Sequence, residues 1–252
     1  MSNPIDLDPF ARFRSVTRAR IGLGRTGDSL PIRAVLDFQL AHARARDAVH
    51  GHVDFAAMEQ RIAAMMVPVV RLKSRAKDRS TYLARPDLGR RVDPDVLAEV
   101  EAGDYDVAFV IADGLSAAAV EAHAETVLAA SLRRLGDLKV APVVLGEQAR
   151  VAFGDEAGAA LGARIVVVLI GERPGLSVPD SLGAYLTFGP KVGRRDSERN
   201  CISNIHADGL SHELAADKIA WLVRAALKLG LTGVDLKEDM DAPALLTGAA
   251  QS

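Results

Sequence analysis

The chain predicts an α/β protein: a Rossmann-like parallel sheet flanked by helices, preceded by a mainly helical N-terminal part. Two patterns carry this. From Tyr105 onward, short β-branched runs alternate with helical periodicity over short links, as in parallel strands joined by right-handed crossovers. Ahead of Tyr105, apolar residues recur at three- and four-residue spacing, the period of a helix face. The clearest single element is Ile165 to Ile170, an unbroken and mostly β-branched apolar run typical of a strand buried on both faces. It ends at Gly171-Glu172-Arg173-Pro174-Gly175, where two glycines and a proline forbid regular continuation.

Taken in order, residues 1–20 form a polar arm with a short helix-like piece from Phe10 to Arg20. From Pro31 to His50, the spacing of Ile32, Val35, Leu36, Leu40 and Ala43 predicts an amphipathic helix with Pro31 in its first turn. A second helix is expected from Phe55 to Met66. Val67 to Leu72 reads as a strand, which Pro68 confines to a sheet edge or a strand start. Lys73 to Arg91 is basic and loop-rich, and Asp93-Pro94 opens a short helix that ends near Gly103. Then come a strand, Val107 to Ala112; a helix, Ser116 to Leu135; a strand, Val140 to Leu145; and a short helix, Glu156 to Leu161. After the buried run, Ala184 to Phe188 is a further candidate strand, and Glu213 to Leu229 is a closing helix stopped by Gly230. Residues after Asp235 read as a loose tail. The expected division is a helical part at 1–103 and a Rossmann-like part at 104–252.

Bulk properties exclude several function classes. With 31 basic and 33 acidic side chains in 252 residues, net charge is −2, which favours neither nucleic acid nor an anionic membrane. Aromatic content of 4% argues against a base-stacking surface. One cysteine rules out an intrachain disulfide and a cysteine-based zinc cage, and fits a reducing cytoplasm. The first 30 residues lack the apolar core of a signal peptide, and no apolar run approaches 18 residues.

Three strands end in polar loops on one edge: Asp113-Gly114-Leu115-Ser116, Gly146-Glu147-Gln148 and Gly171-Glu172-Arg173. Ligands of open α/β sheets bind at that edge. The first two loops can equally be plain turns, with Asp113 or Ser116 capping the next helix. Turn geometry needs no Glu-Arg pair, so the third loop points to a site. Gly22-Leu23-Gly24-Arg25-Thr26-Gly27 matches a dinucleotide fingerprint in letters only: no strand precedes it, Asp28-Ser29-Leu30-Pro31 separates it from the helix, and Asp47 falls inside that helix. His50-Gly51-His52 is the nearest histidine pair, and a solvated turn suits it better than a metal.

Several strings resemble a known family. Arg20 to Gly27, Asp37-Phe38-Gln39-Leu40-Ala41-His42, Tyr82-Leu83-Ala84-Arg85-Pro86-Asp87-Leu88-Gly89, Asp113 to Ser116, Gly171 to Leu176 and Asn200-Cys201-Ile202-Ser203-Asn204-Ile205 are similar, in order, to the small (light) subunit of ethanolamine ammonia-lyase. The resemblance implies a partner, the large subunit, in a hetero-oligomer. It also implies adenosylcobalamin at the subunit interface, and conversion of ethanolamine to acetaldehyde and ammonia. Residues 1–103 would meet the large subunit, and 104–252 would hold the cofactor. The family's cobalamin contacts match Val151, Glu172 and Cys201, with no catalytic side chain or metal ligand in this chain. Glycines at 171 and 175 would let the backbone approach the corrin. None of the six histidines sits in the D-x-H-x-x-G pattern of base-off cobalamin domains, so base-on binding is expected. Cytoplasmic location is expected, and the short arm leaves microcompartment association open. Two alternatives remain at this point: a nucleotide-dependent oxidoreductase with an irregular Rossmann domain, and a purely structural assembly subunit.

Overall fold

Six strands make one sheet: β1 (Val69–Lys73), β2 (Tyr105–Ala112), β3 (Val143–Glu147), β4 (Ala163–Gly171), β5 (Leu182–Phe188) and β6 (Asn200–Ile205). The coordinates are a computed structural model that describes residues 9–237. The strands are ordered β1-β3-β2-β4-β5-β6 across the sheet. β1, β3, β2 and β4 run parallel, whereas β5 is antiparallel to both its neighbours. The expected parallel unit is present, with an antiparallel pair added at one side.

The helices are α1 (Ala11–Arg14), α2 (Ile32–His50), α3 (Phe55–Ala63), α4 (Arg79–Ala84), α5 (Pro86–Gly89) and α6 (Pro94–Leu97). Then come α7 (Ala117–Ala119), which runs through a π turn into α8 (Glu125–Arg134), followed by α9 (Phe153–Leu161) and α10 (His212–Leu229). The period-two alternation of β4 sorts its side chains between two cores. Ile165, Val167 and Leu169 pack with α3, α8 and α10, through residues such as Ile62, Leu128 and Ile219. Val166, Val168 and Ile170 face Phe153, Ala157 and Leu161 of α9. Full burial of each such side chain contributes about 1.5–3 kcal/mol, so the central strands anchor everything hung on their ends.

Prolines set two strand starts. β1 follows Pro68 at the sheet edge, as expected, and β3 begins after Pro142 rather than at Val140. The Pro68 carbonyl accepts from Val143 N–H at 2.8 Å, so the two starts are joined. Ser211 caps α10 and Gly230 ends it in a left-handed turn at φ 75°, both standard stop signals.

Several expectations shift. The piece expected from Phe10 to Arg20 is helical only over Ala11–Arg14, and Pro31 sits at the N-cap of α2 rather than inside its first turn. The loop expected at Lys73 to Arg91 contains α4 and α5. The strand β6 had no counterpart in the sequence expectation. The tail expected after Asp235 falls mostly beyond the described residues. No helix among the described residues is long and apolar enough to cross a membrane.

Candidate functional site

The connection from β2 leads to β3 on one side, and that from β4 leads to β5 on the other. A crevice outside the carboxyl ends of β2 and β4 follows from this divergence, the usual ligand position in open α/β sheets. Asp113, just past β2, fastens the loops together. Its carboxylate accepts from Gly114 N–H at 2.9 Å, Ala149 N–H at 2.9 Å and Gln148 N–H at 3.0 Å. Arg79 Nη1 lies 3.5 Å away. Burial pushes the Asp113 carboxyl up to about 6, against the pull of these N–H groups and Arg79. Asp113 therefore ties the β2 loop to the β3 loop and does not cap a helix. Ser116 does cap one, accepting from Ala119 N–H at 3.1 Å, and its hydroxyl donates to Pro179 O at 2.8 Å.

Glycines allow two loops to touch. A Cβ on Gly171 would lie 2.1 Å from the Ser116 carbonyl oxygen, and one on Gly114, at φ +59°, would lie 2.3 Å from Gly171 O. Gly171 is thus required by the chain's own packing, and it also lines the cavity beside this junction.

Beside this junction is a cavity of about 410 Å³, into which Tyr82, Arg150, Val151, Glu172, Arg173 and Tyr185 project. Tyr82 is fully buried, and its hydroxyl donates to Ala149 O at 3.1 Å. Arg79 lies against its ring at 4.9 Å and Arg150 at 4.5 Å, both within cation–π range. Burial raises the Tyr82 phenol well above its ordinary value. Glu172 is half-buried: its carboxylate accepts from the Ser181 hydroxyl and, at 3.4 Å, from Asn204 N–H.

Two of the three residues named from sequence, Val151 and Glu172, line this cavity together. Cys201 lies one strand further, exposed, with its sulfur 3.2 Å from Ser203 Oγ. Its register partner on β5 is Tyr185, which does line the cavity, and whose phenol is raised by burial and then by Cys201. Val151 and Glu172 therefore lie at the carboxyl edge, whereas Cys201 connects to the cavity only through Tyr185, whose partner on β4 is Val168, three residues inside the strand end. The sequence reading gave no role to Tyr185 and did not foresee the Arg79–Tyr82–Arg150 stack: Arg79 and Tyr82 are one turn apart on α4, but Arg150 is far from both in the chain. Arg85 is exposed and paired with Asp87.

Other candidates resolve simply. Gly22 to Gly27 leads into a tight turn closed by Thr26 and Ser29, with no strand before it, so its rejection as a dinucleotide loop holds. His50 and His52 are exposed. Among the described residues no group of three or more histidine, cysteine or acidic side chains could hold a metal.

Known proteins match this chain along nearly its whole length. Residues 7–237 match the family described as ethanolamine ammonia-lyase light chain. The chain belongs to this family. Relatives named ethanolamine ammonia-lyase small subunit include one from Rhodopseudomonas palustris, 54% identical over 231 residues that cover 90% of this chain and 88% of the relative. Another, from Bradyrhizobium diazoefficiens, is 52% identical over 95% of this chain and 94% of its own length. A third, from Azotobacter vinelandii, is 49% identical over 98% and 94%. The resemblance read from the residue strings is thereby borne out, and the chain is a lyase subunit. Both α2 and the cavity lie within the part that matches the light-chain family.

Proposed function

We propose that this chain is the cobalamin-binding small subunit of an adenosylcobalamin-dependent ethanolamine ammonia-lyase, active only with its large subunit. The observation that carries this is the convergence of Val151 and Glu172 on one cavity, with Cys201 reached through Tyr185. The donor set fits a corrinoid. Glu172 offers acceptor oxygens for peripheral amides, and Gln148 Oε1 and Arg150 Nε are buried near the cavity without hydrogen-bond partners. Helices on both faces of a mainly parallel sheet support a Rossmann-like description of residues 104–252. When bound, adenosylcobalamin supplies the radical through its cobalt–carbon bond, so this chain has only to bind, orient and shield. Base-on binding rests on the missing D-x-H-x-x-G pattern; histidine nitrogen coupling in the paramagnetic resonance spectrum would refute it.

The large subunit is assigned to residues 1–103, from which Tyr82 also reaches the cavity. Ile32, Leu36 and Leu40 form a ridge on α2 that is 72%, 56% and 51% exposed, and Ala48 is the helix's one buried residue. A helix so weakly packed gains stability from a partner's surface. Leu36→Glu should therefore release the large subunit in size-exclusion chromatography. We place the assembly in the cytoplasm, in or outside a microcompartment, which fractionation distinguishes. The deciding experiment is co-expression with the large subunit, followed by an ethanolamine-dependent acetaldehyde assay and cobalamin titration. Glu172→Ala should weaken cobalamin binding by about 1.5–3 kcal/mol, the range for a charged hydrogen bond. Unchanged affinity would favour a purely structural subunit.

A further inference from the structure

Three arginines of the segment that carries Tyr82 have partners. Arg79 donates to Val49 O and Gly114 O beside Asp113, Arg85 pairs with Asp87, and Arg91 pairs with Glu156. Arg150 and Arg173 differ. Neither side chain makes a hydrogen bond or ion pair with any described residue, although both line the cavity. Arg150 Nε is buried with no acceptor, an unfavourable state for a charged donor.

Arg150 is nevertheless well held. Its backbone N–H donates to Gly89 O at 2.8 Å, and its guanidinium lies over Tyr82 at 4.5 Å. Tyr82 is itself pinned through its hydroxyl to Ala149 O. The chain thus supplies a fixed planar donor with no acceptor among the described residues. Arginine's fork matches the geometry of phosphate oxygens. Across the same cavity, Glu172 offers acceptor oxygens. The complementary ligand carries one anionic phosphate together with neutral amide donors.

We infer that Arg150 and Arg173 form an anion subsite that takes the phosphodiester of the cobalamin nucleotide tail, with Tyr82 as the residue that positions Arg150. This rests on the cobalamin assignment above. Three ligands test it by equilibrium titration of the assembled complex: adenosylcobalamin, adenosylcobinamide phosphate, and adenosylcobinamide, which has no phosphate.

Arg150→Met should weaken the two phosphate-bearing ligands roughly ten- to hundredfold, the size of a lost charge-assisted hydrogen bond. Adenosylcobinamide should bind within about twofold of wild type, well below one decade in affinity. Tyr82→Leu should give the same phosphate-selective loss, and Tyr82→Phe, which keeps the ring, should restore most of it. Equal weakening of all three ligands by Arg150→Met would overturn the subsite in favour of packing. If that variant does not assemble, Arg173→Ala, on an exposed side chain, carries the same comparison, and unchanged affinities would overturn the paired-arginine subsite. Glu172→Ala separates the two levels. Should it weaken all three ligands while the arginine variants weaken none, only the anion subsite fails. Should Glu172→Ala and the arginine variants all bind as wild type, the cobalamin assignment itself fails.

Discussion

Replacing Gly171 with alanine places a Cβ 2.1 Å from the Ser116 carbonyl oxygen, 2.8 Å from its carbon and 2.9 Å from Asp113 O. All three are backbone atoms, so no side-chain rotation relieves the overlap; the end of β4 and the Gly114–Ser116 loop have to separate. Overpacking of this kind costs about 1–3 kcal/mol. Separation also stretches the 2.9 Å bond from Leu115 N–H to Gly171 O, adding roughly 1 kcal/mol. Loss of glycine freedom in the unfolded chain offsets about 0.4–1 kcal/mol. The net is about 1–3.6 kcal/mol, which for a urea slope near 3 kcal/mol/M moves the unfolding midpoint down by roughly 0.3–1.2 M. Gly175 is the control. Its backbone is not left-handed, and a Cβ there meets nothing nearer than Val178 O at 3.5 Å, so Gly175→Ala should stay within about 0.5 kcal/mol of wild type. Far-ultraviolet circular dichroism across a urea series reads both. A wild-type midpoint for Gly171→Ala, or equal sensitivity at the two glycines, would refute the packing role. Because Glu172 follows Gly171 directly, the same variant should also bind cobalamin more weakly in the complex.

Three further outcomes follow from buried charge. Arg199 donates to Asp155 at 2.5 and 2.7 Å, with both side chains almost fully buried; Arg199→Met should cost about 3–5 kcal/mol in urea unfolding, and pairing it with Asp155→Leu should recover most of that. Burial holds the Asp113 carboxyl's proton up to about pH 6, against 3.8 in an unfolded chain. The folded form is the better proton binder in that window, so Asp113's contribution to stability falls as pH rises from about 4 to 6. A carbon NMR titration should find its midpoint near 6; one below 4 would mean that Arg79 and the backbone N–H groups outweigh burial. His123, 3.0 Å from His212, has the opposite sign. Burial and then His212 lower it below 6.5, so its stability is present above that pH and lost as pH falls. His123→Gln should flatten the acid limb of the stability curve, and an unchanged limb contradicts this.

Legibility followed burial and periodicity. β4 could be read because both its faces are buried, leaving an uninterrupted apolar run. β6 could not. Its buried residues Ile202 and Ile205 are three apart, because the register slips where it meets Leu182 and Ala184 of β5, and the period-two signal is lost. The start of α9 was hidden by Gly154 and Gly158, which weaken a helical pattern. There they let the helix approach Val168 and Val166 closely: a Cβ would meet their side chains at 2.3 and 3.0 Å. The amphipathic pattern of α2 was correct, but a pattern states that a face needs cover, not what covers it. Glu172 was reachable because a strand end is a local feature, whereas Val151 came only from the family resemblance. The contact of Tyr82 with Arg150 exists only once β3 lies beside β1.

The carboxyl edge also explains why residue type is a weak guide to function there. Asp113, Ser116, Glu172 and Arg150 are all polar groups on loops after buried strands; the sequence reading singled out the Glu172 loop, left Asp113 and Ser116 between turn and site, and gave Arg150 no role. Pairing separates them. The Asp113 carboxylate accepts three backbone N–H groups, and Ser116 both caps a helix and reaches Pro179. Their hydrogen-bonding capacity is spent inside the chain, so they hold the edge in shape. Arg150 is fixed by stacking yet has no acceptor among the described residues, and there the Glu172 carboxylate has four lone-pair sites but only a hydroxyl and one long N–H contact. Groups that are positioned but unsatisfied are those a ligand can complete. The division predicts different consequences: loss of Asp113 or Gly171 should lower stability and binding together, whereas loss of Arg150 or Glu172 should lower binding and leave the unfolding midpoint near wild type.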